Sequence, residues 1–329
     1  MPGGPLVSII INNYNYGCFL QSAIDSALGQ TYANIEVIVV DDGSVDNSKD
    51  IIRGYRDRIV PVLKENGGQA SAFNAGFAKS RGEIICFLDS DDFYALKKVM
   101  KIVDLFKISP SAGWVFHGLC YVNAAGEPFA PAELMRMPTY KAVQSCQDFF
   151  KEPTSVDFRK AFSKGERVMC WAPGPTGQCF RRSLLGKILP MPESDSVTLG
   201  DRYVEYASFY SSPGIQAPDL LAFQRVHGSN LFTFKPEAPL LSAIIGLKTA
   251  FHLRDKFPQF ASHTDQMFGS SFGYLLGKIG LKETLNFAES KRYIIQYLPL
   301  NKWVAQAPRM VLNFIRAFVH KKFNKQLPF

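Results

Sequence analysis

Apolar and polar positions in the N-terminal part of the chain fall into two alternating patterns. Leu6-Val7-Ser8-Ile9-Ile10-Ile11, Ile35-Glu36-Val37-Ile38-Val39-Val40, Ile59-Val60-Pro61-Val62-Leu63 and Glu83-Ile84-Ile85-Cys86-Phe87-Leu88 are short runs, mostly apolar and rich in β-branched residues. Such runs, bounded by turn-forming residues, predict strands buried on both faces. Between them the apolar positions recur at three and four, as in Phe19, Leu20, Ala23, Ile24, Ala27 and Leu28, which predicts a helix with one apolar face. Further helices are predicted over 44–55 and from about 70 to 80, the second opened by the loop Asn66-Gly67-Gly68-Gln69. This alternation predicts an α/β fold with a parallel sheet covered on both faces.

Downstream the pattern is less regular. A helix is predicted over 99–108, then strands at Trp114–Gly118 and Leu119–Val122 with a hairpin-like turn over 123–128. Residues 129–170 are proline-interrupted and of mixed polarity. From about Pro239 the pattern is helical, with one helix starting at 240–247 and two more within 267–298. Val311, Leu312, Phe314, Ile315, Phe318 and Val319 then share one face, opposite Asn313, Arg316, His320 and Lys321.

Composition changes the picture mainly through charge. The chain has 329 residues, 47% hydrophobic and 20% charged, which fits a folded protein of one large domain with an appendage, or two smaller domains. Its net charge is +8, and Lys291, Arg292, Lys302, Arg309, Arg316, Lys321, Lys322 and Lys325 carry that whole excess, with no acid after Glu289. A neutral body with a cationic tail predicts an anionic partner for the tail. Six scattered cysteines without a C-x-x-C pair suggest neither a zinc site nor a disulfide framework, and point to a reducing compartment. The start, Met1-Pro2-Gly3-Gly4, does not read as a signal peptide, and no apolar run reaches the roughly 20 residues of a membrane span.

The candidate chemistry lies where two apolar runs end. Asp89-Ser90-Asp91-Asp92 follows Leu88, and Asp41-Asp42-Gly43-Ser44 follows Val40. Carboxylates this close repel one another unless a cation or polar partners sit among them. The carboxyl ends of strands in open α/β sheets are where ligands bind. Two acidic ends in one sheet suit a nucleotide, one meeting base or ribose and the other holding Mg²⁺ or Mn²⁺ on a diphosphate. The alternative for Ser90, Asp91 and Asp92 is helix capping. The sequence contains neither G-x-G-x-x-G after the first strand nor a P-loop, which disfavours a dinucleotide-binding Rossmann domain and excludes a P-loop NTPase.

Taken together, Val7 to Ile11 with Tyr14-Asn15, Ile35 to Ser44 with Asp46, Asn74-x-Gly76, Ser80-Arg81-Gly82-Glu83 and Phe87 to Asp92 resemble glycosyltransferase family 2. That family comprises inverting, nucleotide-sugar-dependent enzymes with a GT-A fold: a Rossmann-like nucleotide-binding mixed sheet flanked by helices, here with a mostly helical C-terminal extension. The resemblance implies a catalytic domain over 1–235, divided into a nucleotide-sugar half (1–110) and an acceptor half (111–235), and a basic helical region over 236–329. It implies donor contacts at Tyr14, Asp41, Asp42, Gly68, Gln69, Asn74, Asp89 and Arg225. Metal ligands are implied among Asp89 and Asp91, the D-x-D pair, Asp92 close by, and His227 of Phe223-Gln224-Arg225-Val226-His227-Gly228-Ser229-Asn230. Arg225 is the candidate phosphate fork. Asp201 in Gly200-Asp201-Arg202-Tyr203 is the candidate catalytic base, with Glu193 or Asp195 as alternatives if Asp201 only caps a helix. Two departures stand out: Asn12-Asn13 where the family usually has Pro-Thr, and Gly200 where it usually has Glu.

The implied activity is metal-dependent, inverting transfer from a nucleoside-diphosphate sugar, UDP by family habit, to a hydroxyl of a glycan or lipid-linked acceptor in bacterial surface-polysaccharide synthesis. Trp303 and the basic amphipathic tail predict binding to an anionic membrane surface at the cytoplasmic face. The same face could instead pack on the catalytic domain or across a homodimer. A nucleic-acid partner is not expected, because no binding motif accompanies the tail charge. The competing classes are a non-catalytic nucleotide-sugar-binding homologue and a nucleotidyltransferase.

Overall fold

The computed structural model describes residues 4–135, 151–166, 168, 170, 172–193, 200–230, 238–298 and 310–314. The chain divides into two compact units, residues 1–158 with 169–230, and residues 159–168 with 231–329.

In the first unit the four apolar runs become β1 (Val7–Asn13), β2 (Ile35–Asp42), β3 (Val60–Lys64) and β4 (Ile84–Asp89). They lie parallel in the order β3-β2-β1-β4, as the alternation predicts. The sheet then turns mixed. β5 (Phe93–Tyr94), β6 (Trp114–Val122), β7 (Thr154–Val156), β8 (Gln178–Arg181) and β9 (Gly214–Arg225) extend it, with β8 antiparallel between β4 and β6. The two strands expected over 114–122 are one, and its pairing with β9 slips around Gly118. Close approach is the reason: a Cβ on Gly118 would lie 2.8 Å from the Pro218 carbonyl.

The main helices of this unit are α1 (Gly17–Leu28), α2 (Ser48–Gly54), α3 (Gly68–Lys79), α4 (Lys98–Ile108), α5 (Arg182–Ile188) and α6 (Gly200–Ser211). α2 starts later than expected because Asp46 is used differently: its carboxylate accepts from the Gly17 and Ser48 amides, tying the start of α1 to the start of α2. Strand pleat decides which helix meets which face. Val7, Ile9, Ile11, Val37, Val39, Cys86 and Leu88 form one core with Leu20, Ala23, Ile24 and Ala27 of α1 and Val99, Ile102 and Val103 of α4. Residues of opposite parity meet α3, where Gly76 lies so close to Ile10 that a Cβ there would collide with its Cγ2. Phe73 of α3 stacks on Phe87 at 4.2 Å, and ring contacts continue through Phe180, Phe116 and Trp114 to Phe209 of α6. That second face brings α3 and α6 to one side of the sheet, which matters below.

The second unit is helical: α7 (Ala238–Lys256), α8 (Ala261–Ile279), α9 (Leu281–Asn286) and α10 (Ala288–Tyr297). Its core joins Leu247, Phe251, Phe268, Phe272 and Tyr293. Tyr293 stacks on Phe268 and donates to Asp265. No described helix is long and apolar enough to cross a membrane. Of the expected amphipathic tail helix, residues 310–314 are helical, with Val311 and Leu312 exposed. Trp303, Ile315, Arg316, Phe318, Val319, His320 and Lys321 lie outside the described residues, as does Asp195.

Candidate active site

The site is built at the carboxyl ends of β1, β2 and β4, and strand parity assigns each acid its direction. Asp41 shares parity with Val37 and Val39 and turns towards the α1 face, where it is fully buried. Its Oδ1 accepts from Asn13 Nδ2 at 2.9 Å and its Oδ2 from the Ser44 amide at 3.1 Å. Asn13 also donates to Ser44 Oγ, which accepts the Asn15 amide, so Asp41 shapes the loop that presents Tyr14, 47% exposed. Asp42 turns to the opposite face. It accepts from Lys64 Nζ at 2.6 Å and from the Gly67 and Gly68 amides at 3.0 and 2.6 Å. A carboxylate there satisfies orphan amides at the start of α3 and complements its dipole.

Asp89 shares the α3 face with Asn12, its register partner on β1. Its Oδ1 accepts from Asn12 Nδ2 at 3.0 Å and from Gln69 Nε2 at 3.4 Å. Burial, then the Asp91 carboxylate and more weakly Asp201, push the Asp89 carboxyl up to about 8. Asp201, in the first turn of α6, is thus within electrostatic reach of the D-x-D stretch, and burial raises its own carboxyl. Gln69 and Gly200 are neighbours: a Cβ on Gly200 would stand 3.2 Å from Gln69 Oε1. Gly200 has a φ of +52°, a left-handed conformation that favours glycine over the family's usual Glu.

Asp91 and Asp92 lie in the tight turn after β4 and point to different places. Asp92 is 2% exposed; its Oδ2 accepts from Thr176 Oγ1 at 2.6 Å and its Oδ1 from the Arg225 amide at 2.8 Å. Burial, with the neighbouring Asp91 and Asp89, pushes its carboxyl well above the usual range. The Asp91 side chain is 15% exposed, and its Oδ2 meets His227 Nε2 at 3.2 Å and Asn230 Nδ2 at 3.3 Å. His227 is held by rings, Phe19 at 4.8 Å and Tyr16 at 5.5 Å, and the Tyr16 hydroxyl donates to the Ser229 carbonyl. Burial and the nearby Asp91 raise the Tyr16 phenol to about 12, so it stays a neutral donor.

Two residues expected at the donor, Arg225 and Asn74, make their bonds within the protein. The Arg225 guanidinium is buried between Phe19 and Phe93, donating to the Asp91 carbonyl at 3.0 Å and to Ser22 Oγ at 3.1 Å. The Asn74 amide bonds both backbone groups of Met191 and also Glu193 Oε1, fixing the segment that leads towards α6. Arg181 at the end of β8 and Arg182 at the start of α5 donate to the carbonyls of Phe106, Ala112 and Gly82. The sequence assigns no site role to Asn12, Tyr16, Thr176 or Asn230. Only Asn230, in the His227 motif, and Asn12, a polar residue at an apolar strand's end, carried a local signal.

Among the described residues no three His, Cys, Asp or Glu side chains surround a common point. Mg²⁺ and Mn²⁺ sites that use one or two carboxylates and complete their shell with substrate phosphate and water do not need such a cage. Asp91, with one carboxylate face towards solvent and Asp89 nearby, fits that donor set.

The fold recurs in known proteins. S. aureus TarS in complex with UDP-GlcNAc matches with a TM-score of 0.58 at 16% identity, over 95% of this chain and 81% of that one. A Pyrobaculum calidifontis mannosyltransferase in complex with GDP-Man and Mn²⁺ matches with a TM-score of 0.53 at 17% identity, over 96% and 88%. The mixed sheet, its flanking helices and these likenesses define a GT-A fold. Residues 8–161 match the model of "Glycosyl transferase family 2". An uncharacterized glycosyltransferase of Nostoc sp. is 32% identical over 228 residues, 68% of this chain and 66% of its own length. One from Rickettsia typhi is 50% identical over 95 residues, 29% of this chain, which spans 30% of that protein. The Escherichia coli protein WfaP, described as a UDP-Glc:alpha-D-GlcNAc-diphosphoundecaprenol beta-1,3-glucosyltransferase, is 43% identical over 96 residues, 29% of this chain and 38% of its own. The chain belongs to glycosyltransferase family 2.

Proposed function

We propose that the protein is a metal-dependent, inverting glycosyltransferase. It moves a sugar from a nucleoside-diphosphate sugar, UDP first, to a hydroxyl of a glycan or lipid-linked acceptor. One observation carries the reading: Asp201 at the start of α6 stands within electrostatic reach of Asp89, with Gln69 touching both neighbourhoods. A donor-side acid and a base-side acid at one end of one sheet suit a displacement between two bound sugars.

In this reading Asp91, with Asp89, would hold a Mn²⁺ or Mg²⁺ ion, which supplies charge neutralisation for the departing diphosphate. His227 and Asn230 orient Asp91. Asp92 and Arg225 brace the turn from behind, since their polar groups are already engaged by protein. Tyr14 offers the exposed surface for the base; Asp41, Asp42 and Gly68 shape the floor beneath base and ribose, and Asn74 anchors the segment approaching the acceptor side. Asp201 accepts the proton of the acceptor hydroxyl as that oxygen bonds to the anomeric carbon and the bond to the diphosphate breaks. Its raised affinity for a proton makes it a better base. The single displacement inverts the anomeric centre. The lipid-linked acceptor in WfaP's description and the basic tail support a site of action at the cytoplasmic membrane surface.

The test is release of nucleoside diphosphate from a panel of sugar nucleotides with Mn²⁺, in wild type, Asp91→Asn and Asp201→Asn. Asp201→Asn is expected to bind donor normally and lose turnover by roughly 10²–10⁴-fold, and Asp91→Asn to lose donor and metal binding. Full activity in either variant removes that residue's role. Donor binding without turnover by the wild type, across many acceptors, would favour a non-catalytic homologue.

A further inference from the structure

Thr176 and Lys98 have been given no role in the site so far, yet the acidic turn is built on them. Thr176 is fully buried in the short turn preceding β8. Its hydroxyl has one proton, and the donor logic fixes where that proton goes. The Asp89 amide can only donate, so Thr176 Oγ1 accepts from it, at 3.2 Å. That leaves the hydroxyl proton for Asp92 Oδ2, at 2.6 Å. The Thr176 carbonyl in turn accepts from Lys98 Nζ at 2.7 Å. Lys98 is itself fully buried, its ammonium 3.3 Å from the centre of the Tyr94 ring, and Tyr94 is pinned by its hydroxyl on the Phe87 carbonyl.

The result is a closed brace. Asp89 hangs from Thr176 by its backbone and Asp92 by its carboxylate, while Asp92's other oxygen holds the Arg225 amide. Arg225 returns a guanidinium bond to the Asp91 carbonyl. Asp91 is therefore fixed from both sides by residues that do not reach its carboxylate. The buried Lys98 side chain also lies within electrostatic reach of Asp92. Burial lowers the pKa of the Lys98 ammonium, and the nearby Cys179, Cys86 and Asp92 groups oppose that shift.

We propose that Thr176, anchored by Lys98, is a positioning residue of the donor site: it sets the spacing of Asp89 and Asp92 and thereby aims Asp91 at the metal and diphosphate. This rests on the glycosyltransferase reading above. The role needs a hydroxyl that both accepts and donates; valine has threonine's shape and does neither.

The test measures binding, not turnover. Mn²⁺ affinity is read by paramagnetic resonance of the free ion in the presence of UDP, GDP, ADP or CDP, for wild type, Thr176→Val, Thr176→Ser, Lys98→Met and Val103→Ala. Val103 lies in the apolar core beneath α4, makes none of these hydrogen bonds and serves as a control for general loss of stability. Thr176→Val is expected to weaken Mn²⁺–nucleotide binding about 10–100-fold, as loss of groups that orient metal ligands does. Thr176→Ser should restore most of it, Lys98→Met should weaken it in the same direction, and Val103→Ala should lower the melting temperature while binding as wild type does. Wild-type binding by folded Thr176→Val, or equal losses in Thr176→Val and Val103→Ala, overturns the proposal alone. If Thr176→Val does not fold, the serine and Lys98→Met variants decide: failure of serine to rescue, or unchanged binding in Lys98→Met, overturns it. Absence of Mn²⁺–nucleotide binding in the wild type overturns the functional reading and this proposal with it.

Discussion

Gly200 is where the chain departs from its family beside the proposed base, and the structure makes the consequence of reversing that departure calculable. Gly200→Ala places a side chain on a residue with φ +52°, at a cost of about 1–2 kcal/mol for an L-residue in the left-handed region. The new Cβ would stand 3.2 Å from Gln69 Oε1, so the amide must retreat by a few tenths of an ångström. Its 3.4 Å bond to Asp89 is then lost, worth roughly 0.5–1 kcal/mol. Stiffening of the unfolded chain returns about 0.4–1 kcal/mol. The net loss is about 1–2 kcal/mol, a fall in melting temperature of roughly 2–8 °C for a unit of this size. Gly200→Asn, whose residue tolerates the left-handed region, should fall less, and Gly200→Glu, restoring the usual acidic pair, should fall at least as far as alanine. The assay is differential scanning calorimetry beside sugar transfer with a saturating donor, where all three should show a lower kcat because Asp201 is the next residue. A Gly200→Glu protein as stable as wild type and more active would refute the reasoning, showing that the glycine is a defect at the site and not a backbone requirement.

Two other perturbations test separate parts of the site. Burial, opposed by Arg202 and assisted by Asp201, raises the Glu205 carboxyl to about 8 from an ordinary 4.5. Between those values the unfolded chain releases a proton that the folded one keeps, so stability should fall as pH rises from 5 to 8, by at most about 1.4 kcal/mol per unit. Glu205→Gln should flatten that slope and raise the melting temperature at pH 8 relative to wild type, with little change at pH 4.5; parallel pH profiles would contradict the assignment. Asp42→Asn keeps the shape of the carboxylate but weakens its bonds to Lys64, Gly67 and Gly68, at about 2–3 kcal/mol. Because those bonds place the start of α3, it should raise KM for the donor more than it lowers kcat, and an unchanged KM would separate α3 from donor binding.

Much of the first unit is legible in the sequence. Its four parallel strands follow from short β-branched runs, which only a sheet covered on both faces can bury, and α1, α3 and α4 follow from three-and-four spacing. The location of the chemistry was equally local, since acids directly after apolar runs must lie at strand ends. The strand over Gly214–Arg225 was less legible, because Pro218 and Asp219 interrupt its pattern and its pairing with β6 is irregular. Asp201 was named from a motif, but its nearness to Asp89 depends on α3 and α6 sharing one face, a matter of the ring contacts from Phe73 to Phe209.

The sequence by itself determined that acids gather at the ends of β2 and β4 and that a nucleotide-sugar family's motifs run through them, because residue type and short spacing are local properties. Only the tertiary structure decided where each acid points. Pleat parity sends Asp41 and Asp42 to opposite faces, and a tight turn buries Asp92 while leaving Asp91 towards solvent. Arg225 is drawn into the protein by Phe19, Phe93 and Ser22, and Thr176 and Lys98 enter the site from distant segments. A hydrogen bond between residues far apart in the chain leaves no periodic trace in either one, so these assignments exist only once the sheet has closed.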